Sequence, residues 1–125
     1  TWTYVPGPDY NGTDSFTVTI DDGNGGTATS TVTIGVTPVN DPSVLAADTK
    51  TVFEDSVASG NVLANDSDVD DTLTVASFTV NGSTVNAGET VTLANIGKLT
   101  IGSDGEYTFT PVANWNGSVP QVTYT

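Results

Sequence analysis

The run Phe16-Thr17-Val18-Thr19-Ile20 is answered by Val32-Thr33-Ile34-Gly35-Val36 across Asp21-Asp22-Gly23-Asn24-Gly25-Gly26, and this stretch decides the class of fold. Apolar and small or polar residues alternate with period two in both arms, as in a strand with one face in a core and the other in water. Val, Ile and Thr suit a pleated surface because their branched Cβ is stiff and packs well there. The intervening Asp, Asn and Gly tolerate positive φ, so the two arms are predicted to close as a hairpin. The same alternation returns at Leu73/Val75, Val91/Leu93, Leu99/Ile101, Tyr107/Phe109 and Val122/Tyr124. Asn81-Gly82 and Ser103-Asp104-Gly105 read as tight turns between them. No segment carries a sustained 3.6-residue apolar period with helix caps. The expectation is all-β: an antiparallel β-sandwich.

Composition narrows the function. The 125 residues are 36% hydrophobic and 8% aromatic, enough for one modest core. Two Lys/Arg against 15 Asp/Glu give a formal charge of −13, which repels phosphate backbones and anionic membranes, so neither nucleic acid nor lipid is an expected partner. His, Cys and Met are absent. Thiol chemistry, disulfides, imidazole catalysis and soft-metal sites therefore fall away, leaving oxygen ligands that suit hard cations. No apolar run approaches the roughly 20 residues that span a bilayer, and no charged-then-apolar leader opens the sequence. A soluble fragment, with any export signal outside it, is expected.

The sequence also resembles itself. Tyr4, Pro6, Tyr10, Asn11 and Gly12 recur as Phe109, Pro111, Trp115, Asn116 and Gly117, an offset of about 105 residues that marks a tandem repeat. On this reading residues 1–39 are the C-terminal strands of one repeat. Residues 40–125 are most of the next, lacking its last strand or strands. Thr37-Pro38-Val39-Asn40-Asp41-Pro42, short and flanked by proline, reads as a stiff linker.

Four runs now carry a family resemblance: Asp22-Gly23-Asn24-Gly25-Gly26, Pro38-Val39-Asn40-Asp41-Pro42, Gly60-Asn61-Val62-Leu63-Ala64-Asn65-Asp66-Ser67-Asp68-Val69-Asp70 and Tyr107-Thr108-Phe109-Thr110-Pro111. Together they resemble the tandem cadherin-like, VCBS-type repeats of giant bacterial RTX-type adhesins. The resemblance implies an immunoglobulin-like (cadherin-like) sandwich repeated end to end, exported to the bacterial cell surface, where such proteins serve adhesion and biofilm formation. Family repeats often read Asp-x-Asp-Gly-Asp, whereas here Asp70 is followed directly by Asp71.

The densest chemical signal is Asn65-Asp66-Ser67-Asp68-Val69-Asp70-Asp71, where oxygen-bearing side chains at every second position form a calcium pattern. It is not an EF-hand, since the position eleven beyond Asp66 is Ser77 and no helices flank it. A solvated acidic turn is the competing reading. The resemblance implies that Asn40/Asp41 and Asp66/Asp68/Asp70 share Ca²⁺ at a junction between repeats, stiffening it. With immunoglobulin topology, Asp9 faces that same junction, Asp71 extends the loop, and Asp21 and Asp22 face the preceding junction. Glu54, Asp55 and Asn114 would sit at the far pole and serve the next one. For these last residues, strand-end and turn roles compete with ligation.

Other motifs point away from chemistry. The sequons at Asn11, Asn81 and Asn116 are Asn-Gly turns, and a turn role also accounts for the one at Asn65. Trp2, Tyr10 and Trp115 suit packing better than a sugar platform. With no His to serve as base and neither Lys50 nor Lys98 beside an evident nucleophile, an enzyme is not expected. The leading expectation is a structural extender whose partners are neighbouring repeats. One alternative is a repeat or subunit of an extracellular filament built by strand complementation, and another is a glycan- or protein-binding module.

Overall fold

The computed structural model describes all of residues 1–125, in two compact units, Thr1–Asp41 and Pro42–Thr125. In the first, β1 (Gly12–Asp21) and β2 (Thr27–Val36) form the expected antiparallel hairpin. Phe16 pairs with Val32, Asp14 with Ile34 and Ile20 with Ala28, which gathers Phe16, Val18, Ile20, Val32 and Ile34 on one face. Trp2 packs edge-on against Phe16 with ring centroids 5.5 Å apart, while Ile20 stays 59% exposed.

The second unit holds the core. A four-stranded antiparallel sheet runs in the order β3 (Ala58–Asn61), β8 (Glu106–Pro111), β7 (Gly97–Ile101), β6 (Thr90–Leu93). A three-stranded antiparallel sheet runs β5 (Ser83–Asn86), β4 (Ser77–Val80), β9 (Val122–Tyr124). Ala58, Leu93, Leu99, Ile101 and Phe109 from the first sheet and Phe78 and Val80 from the second form one buried cluster with Val62 and Val75. Two sheets sharing one core make the immunoglobulin-like sandwich. Trp115 closes an end of it, edge-on to Phe109 at 5.9 Å. On the ladders' outer faces, Thr79–Thr84 and Thr90–Thr100 hydroxyls pair at 2.7 and 2.6 Å, the cross-strand hydrogen bonds for which Thr is suited.

The turns follow residue chemistry closely. Asn81 and Gly82, at φ 50° and 78°, reverse the chain between β4 and β5, and Gly105 at φ 81° does so between β7 and β8. Every non-glycine residue at positive φ is Asp or Asn: Asp9, Asp55, Asn81, Asn95 and Asn114, the types whose short polar side chains tolerate that region. One expectation needs correction. Val75 is buried as its alternation suggests, but its N–H donates to the Ser103 carbonyl at 2.9 Å rather than to a ladder, so the strand begins only at Ser77.

The internal repeat extends to the backbone. Tyr10 N–H donates to Gly7 O at 3.3 Å, and Trp115 N–H donates to Val112 O at 3.1 Å. The residues before them, Asp9 and Asn114, stand at φ 57° and 58°, and Gly12 and Gly117 at 119° and 146°. The same turn is thus built twice from equivalent positions.

Candidate functional site: the acidic loop of the second unit

Asp66 to Asp71 leave the end of β3 through Val62, whose N–H donates to Gly105 O at 2.9 Å. The loop begins with a turn closed by Asp66 N–H on Leu63 O at 3.2 Å. Its carboxylates then reach in several directions and meet protein donors. Asp68 Oδ1 accepts the N–H groups of Asp70 and Asp71, each at 2.9 Å, and its Oδ2 accepts the Ser43 hydroxyl at 2.7 Å. Asp66 Oδ1 accepts Ala46 N–H at 2.8 Å, and its Oδ2 accepts the Tyr124 hydroxyl, also at 2.8 Å. Between these side-chain bonds, Val44 and Ser67 exchange backbone hydrogen bonds of 2.8 and 3.0 Å. The loop fastens the unit's leading segment, residues 43–46, to the sandwich.

Electrostatics agrees with that role. The Ser43 hydroxyl, followed by the N–H groups of Asp70 and Asp71, holds the Asp68 carboxyl below its ordinary range, because donors favour the charged form. Burial, aided by the Asp66 and Asp48 carboxylates, pushes the Tyr124 hydroxyl up to about 12, so it remains a donor at neutral pH. Asp66, Asp68, Asp71 and Asp104 also border a shallow groove open to solvent.

The other candidate residues have local duties. Asp22 Oδ1 accepts the N–H groups of Asn24 and Gly26 at 2.8 and 2.9 Å, and the Asp22 N–H donates to Gly26 O at 3.0 Å. These amides hold its carboxyl below the usual range, and the arrangement closes the hairpin tip. Asp21 Oδ1 accepts the N–H of Gly23 at 2.7 Å. Asp9 sits at positive φ in the Gly7–Tyr10 turn, and Asn40 Nδ2 donates to Asp41 O at 2.9 Å. Asp55, Asn114 and Glu54 do come together: Asn114 N–H donates to Asp55 Oδ1 at 2.6 Å, and Asn116 Nδ2 reaches Glu54 Oε2 at 3.5 Å. These contacts join the 53–56 turn to the 112–116 turn.

No group of three or more acidic side chains is placed so as to hold a metal ion. Calcium takes six to eight oxygens at about 2.3–2.6 Å, whereas the oxygens of Asp66 and Asp68 face three different parts of the chain, residues 43–46, the amides of Asp70 and Asp71, and Tyr124. The donor set as arranged does not fit the expected ion. Sequence reading missed Ser43, Ala46 and Tyr124, since nothing local marks a donor whose acceptor lies 20 to 58 positions away. The aromatic residues are tied to neighbours: Trp115 packs on Phe109, Trp2 on Phe16, and the Tyr10 hydroxyl donates to Thr13 O at 3.0 Å.

Comparison with known families agrees with this architecture. Residues 40–125 match the model of a bacterial cadherin-like domain, and residues 1–35 match that of a bacterial Ig domain. No curated protein and no solved structure gives a match. The two matches, side by side along the sequence, describe a tandem-repeat architecture of cadherin-like and Ig-like structural domains. From the match over most of its length, the chain belongs to the bacterial cadherin-like domain family.

Proposed function

We propose that this chain is an extender segment of a large bacterial cell-surface adhesin, of the RTX type suggested by the sequence runs, holding a distal adhesive part away from the cell. The observation that carries this reading is the duplicated turn, Gly7–Gly12 and Val112–Gly117, with the same φ signature in both copies. Repeats that stack their junctions in the same way add length by equal increments. Bacterial Ig-like and cadherin-like domains are typically extracellular, and the excess of 15 acidic over 2 basic residues keeps neighbouring chains apart at such a surface. In this reading the polar fastening of residues 43–46 to the acidic loop firms the Pro42–Thr125 unit itself, with no metal step. The experiment is a display series in which a reporter is carried on one, two or three copies of the chain above a labelled surface. Energy transfer that falls in equal distance steps supports the extender. A stand-off that fails to grow with copy number contradicts it.

Filament assembly by strand complementation is a second reading, favoured by one observation: the β1–β2 hairpin leaves Val18 and Ile20 38% and 59% exposed. It requires the isolated chain to self-associate at micromolar concentration, so a monomer in sedimentation would dismiss it.

A further inference from the structure

An asparagine followed by glycine is a reactive pair, because no Cβ on the glycine keeps its backbone nitrogen from the asparagine side chain. The pair occurs at Asn11, Asn24, Asn81 and Asn116. We propose that Asn24, at the tip of the β1–β2 hairpin, is a spontaneous modification site, converted through a succinimide to an aspartyl or isoaspartyl residue, and that Asp22 sets the rate.

The conversion needs only water. Gly25 N attacks Asn24 Cγ and closes the succinimide ring. The Cγ–Nδ2 bond breaks, and the side-chain nitrogen leaves as ammonia with the proton given up by the Gly25 N–H. Water then adds across one of the ring's C–N bonds. Opening at Cγ gives an aspartyl residue, whereas opening at the backbone carbonyl carbon gives an isoaspartyl residue whose main chain is longer by a methylene. Nothing is oxidised or reduced.

All four asparagines are exposed, so freedom of the backbone ranks them. Gly12 is paired with Val36 at the start of β1. Asn81 and Gly82 are closed in by the Val80–Ser83 pair of β4 and β5. Asn116 Nδ2 is engaged with Glu54 Oε2 at 3.5 Å, and the Trp115 ring lies 3.4 Å from where a Cβ on Gly117 would stand. Asn24 and Gly25 lie beyond the last ladder pair, Asp21–Thr27. Glycine flanks Asn24 on both sides, and a Cβ at Gly23 or Gly25 would meet nothing within 4 Å. What restrains the pair is the Asp22 carboxylate, whose Oδ1 accepts the N–H groups of Asn24 and Gly26 at 2.8 and 2.9 Å. The attacking Gly25 N–H enters neither bond. Breaking these exposed bonds costs less than opening a ladder, and it lets the Asn24–Gly25 peptide turn until the nitrogen meets Cγ. The Asp22 charge also opposes loss of the Gly25 proton. Conversion replaces the Asn24 Nδ2 donor, 3.4 Å from Asp22 O, with a carboxylate close in sequence to Asp21 and Asp22, so the tip gains charge and repulsion in one irreversible step.

The test is peptide mapping by mass spectrometry on the 125-residue chain incubated in mildly alkaline buffer, folded and in urea, with isoaspartate located by electron-transfer fragmentation. In the folded chain Asn24 is expected to convert about tenfold faster than Asn11, Asn81 or Asn116, whereas in urea the four should react at comparable rates. Asp22→Ala is expected to raise the folded-state rate at Asn24 about fivefold. Another of the four converting as fast as Asn24 in the folded chain overturns the site. The same ranking in urea overturns it too, since local sequence rather than the fold would then carry the difference. An Asn24 rate unchanged in Asp22→Ala overturns the part given to Asp22. Should Asp22→Ala fail to fold, Asp22→Asn, which keeps the shape and weakens the acceptor, decides by the same rise or its absence.

Discussion

The Ser43 hydroxyl donates to Asp68 Oδ2 at 2.7 Å, tying the second residue of the Pro42–Thr125 unit to a loop 25 positions further on. The bond gives the acidic loop a structural purpose and sets a pH dependence. Asp68 is held below its ordinary value of 3.8, first by Ser43 and then by the amides of Asp70 and Asp71. A depressed folded value means the contribution is full above the unfolded value and is lost as pH falls through the folded one. Amide exchange at Val44 and Ala46 should accelerate selectively on acidification below 3.8, relative to the β7 amides. In Asp68→Asn that selective step should be absent and the segment looser already at neutral pH. An acid step unchanged in the variant would assign it to another carboxylate.

Asp22 is expected to set the hairpin. Its carboxylate accepts the N–H groups of Asn24 and Gly26, and side-chain caps of this kind stabilise a turn that glycine-rich sequence leaves flexible. In Asp22→Ala, amide protection of Asn24 and Gly26 should fall toward unprotected rates and fray the adjoining pairs Asp21–Thr27 and Ile20–Ala28. Exchange measured by NMR in both chains checks it, and unchanged protection would contradict it.

Gly97 is required by close approach. A Cβ there would meet the Thr110 carbonyl oxygen and stand 2.8 Å from the Phe109 ring, and backbone cannot yield as a flexible side chain does. Gly97→Ala should lower unfolding stability by about 1–3 kcal/mol, the usual range for overpacking. Denaturant unfolding measures it directly, and a loss near zero would mean that β7 and β8 shift apart freely.

Calcium should matter little to this chain. A single site at about tenfold excess over its Kd would add about 1.4 kcal/mol, or several degrees in melting temperature for a unit of this size. With the oxygens of Asp66 and Asp68 each facing a protein donor, the expected shift between millimolar calcium and EDTA is below about 1 °C. A rise of several degrees would show that the loop rearranges around an ion.

The fold was legible wherever a strand is half-buried over several residues, as in Phe16-Thr17-Val18-Thr19-Ile20 or Gly97–Ile101, because one covered face imposes a period of two on the side chains. β3 and β5 escaped because Ala58-Ser59-Gly60-Asn61 and Ser83-Thr84-Val85-Asn86 carry one apolar side chain each, too few for any period, and β4 escaped because Phe78 and Val80 fall out of phase with the Leu73/Val75 alternation. Leu73/Val75 reads as strand because burial follows the alternation even where the backbone bonds elsewhere. The acidic loop was visible as a concentration of carboxylates, but its bonding was not. Ser43, Ala46 and Tyr124 are ordinary residues locally, and only the sandwich topology brings them to Asp66 and Asp68.

As the proposed extender, the chain should add length in proportion to the number of its copies. Small-angle scattering on one to four concatenated copies in EDTA tests it most directly. A maximum dimension that grows in proportion to copy number is the predicted result. Growth only as about the square root of copy number, the behaviour of a flexible string, would contradict it.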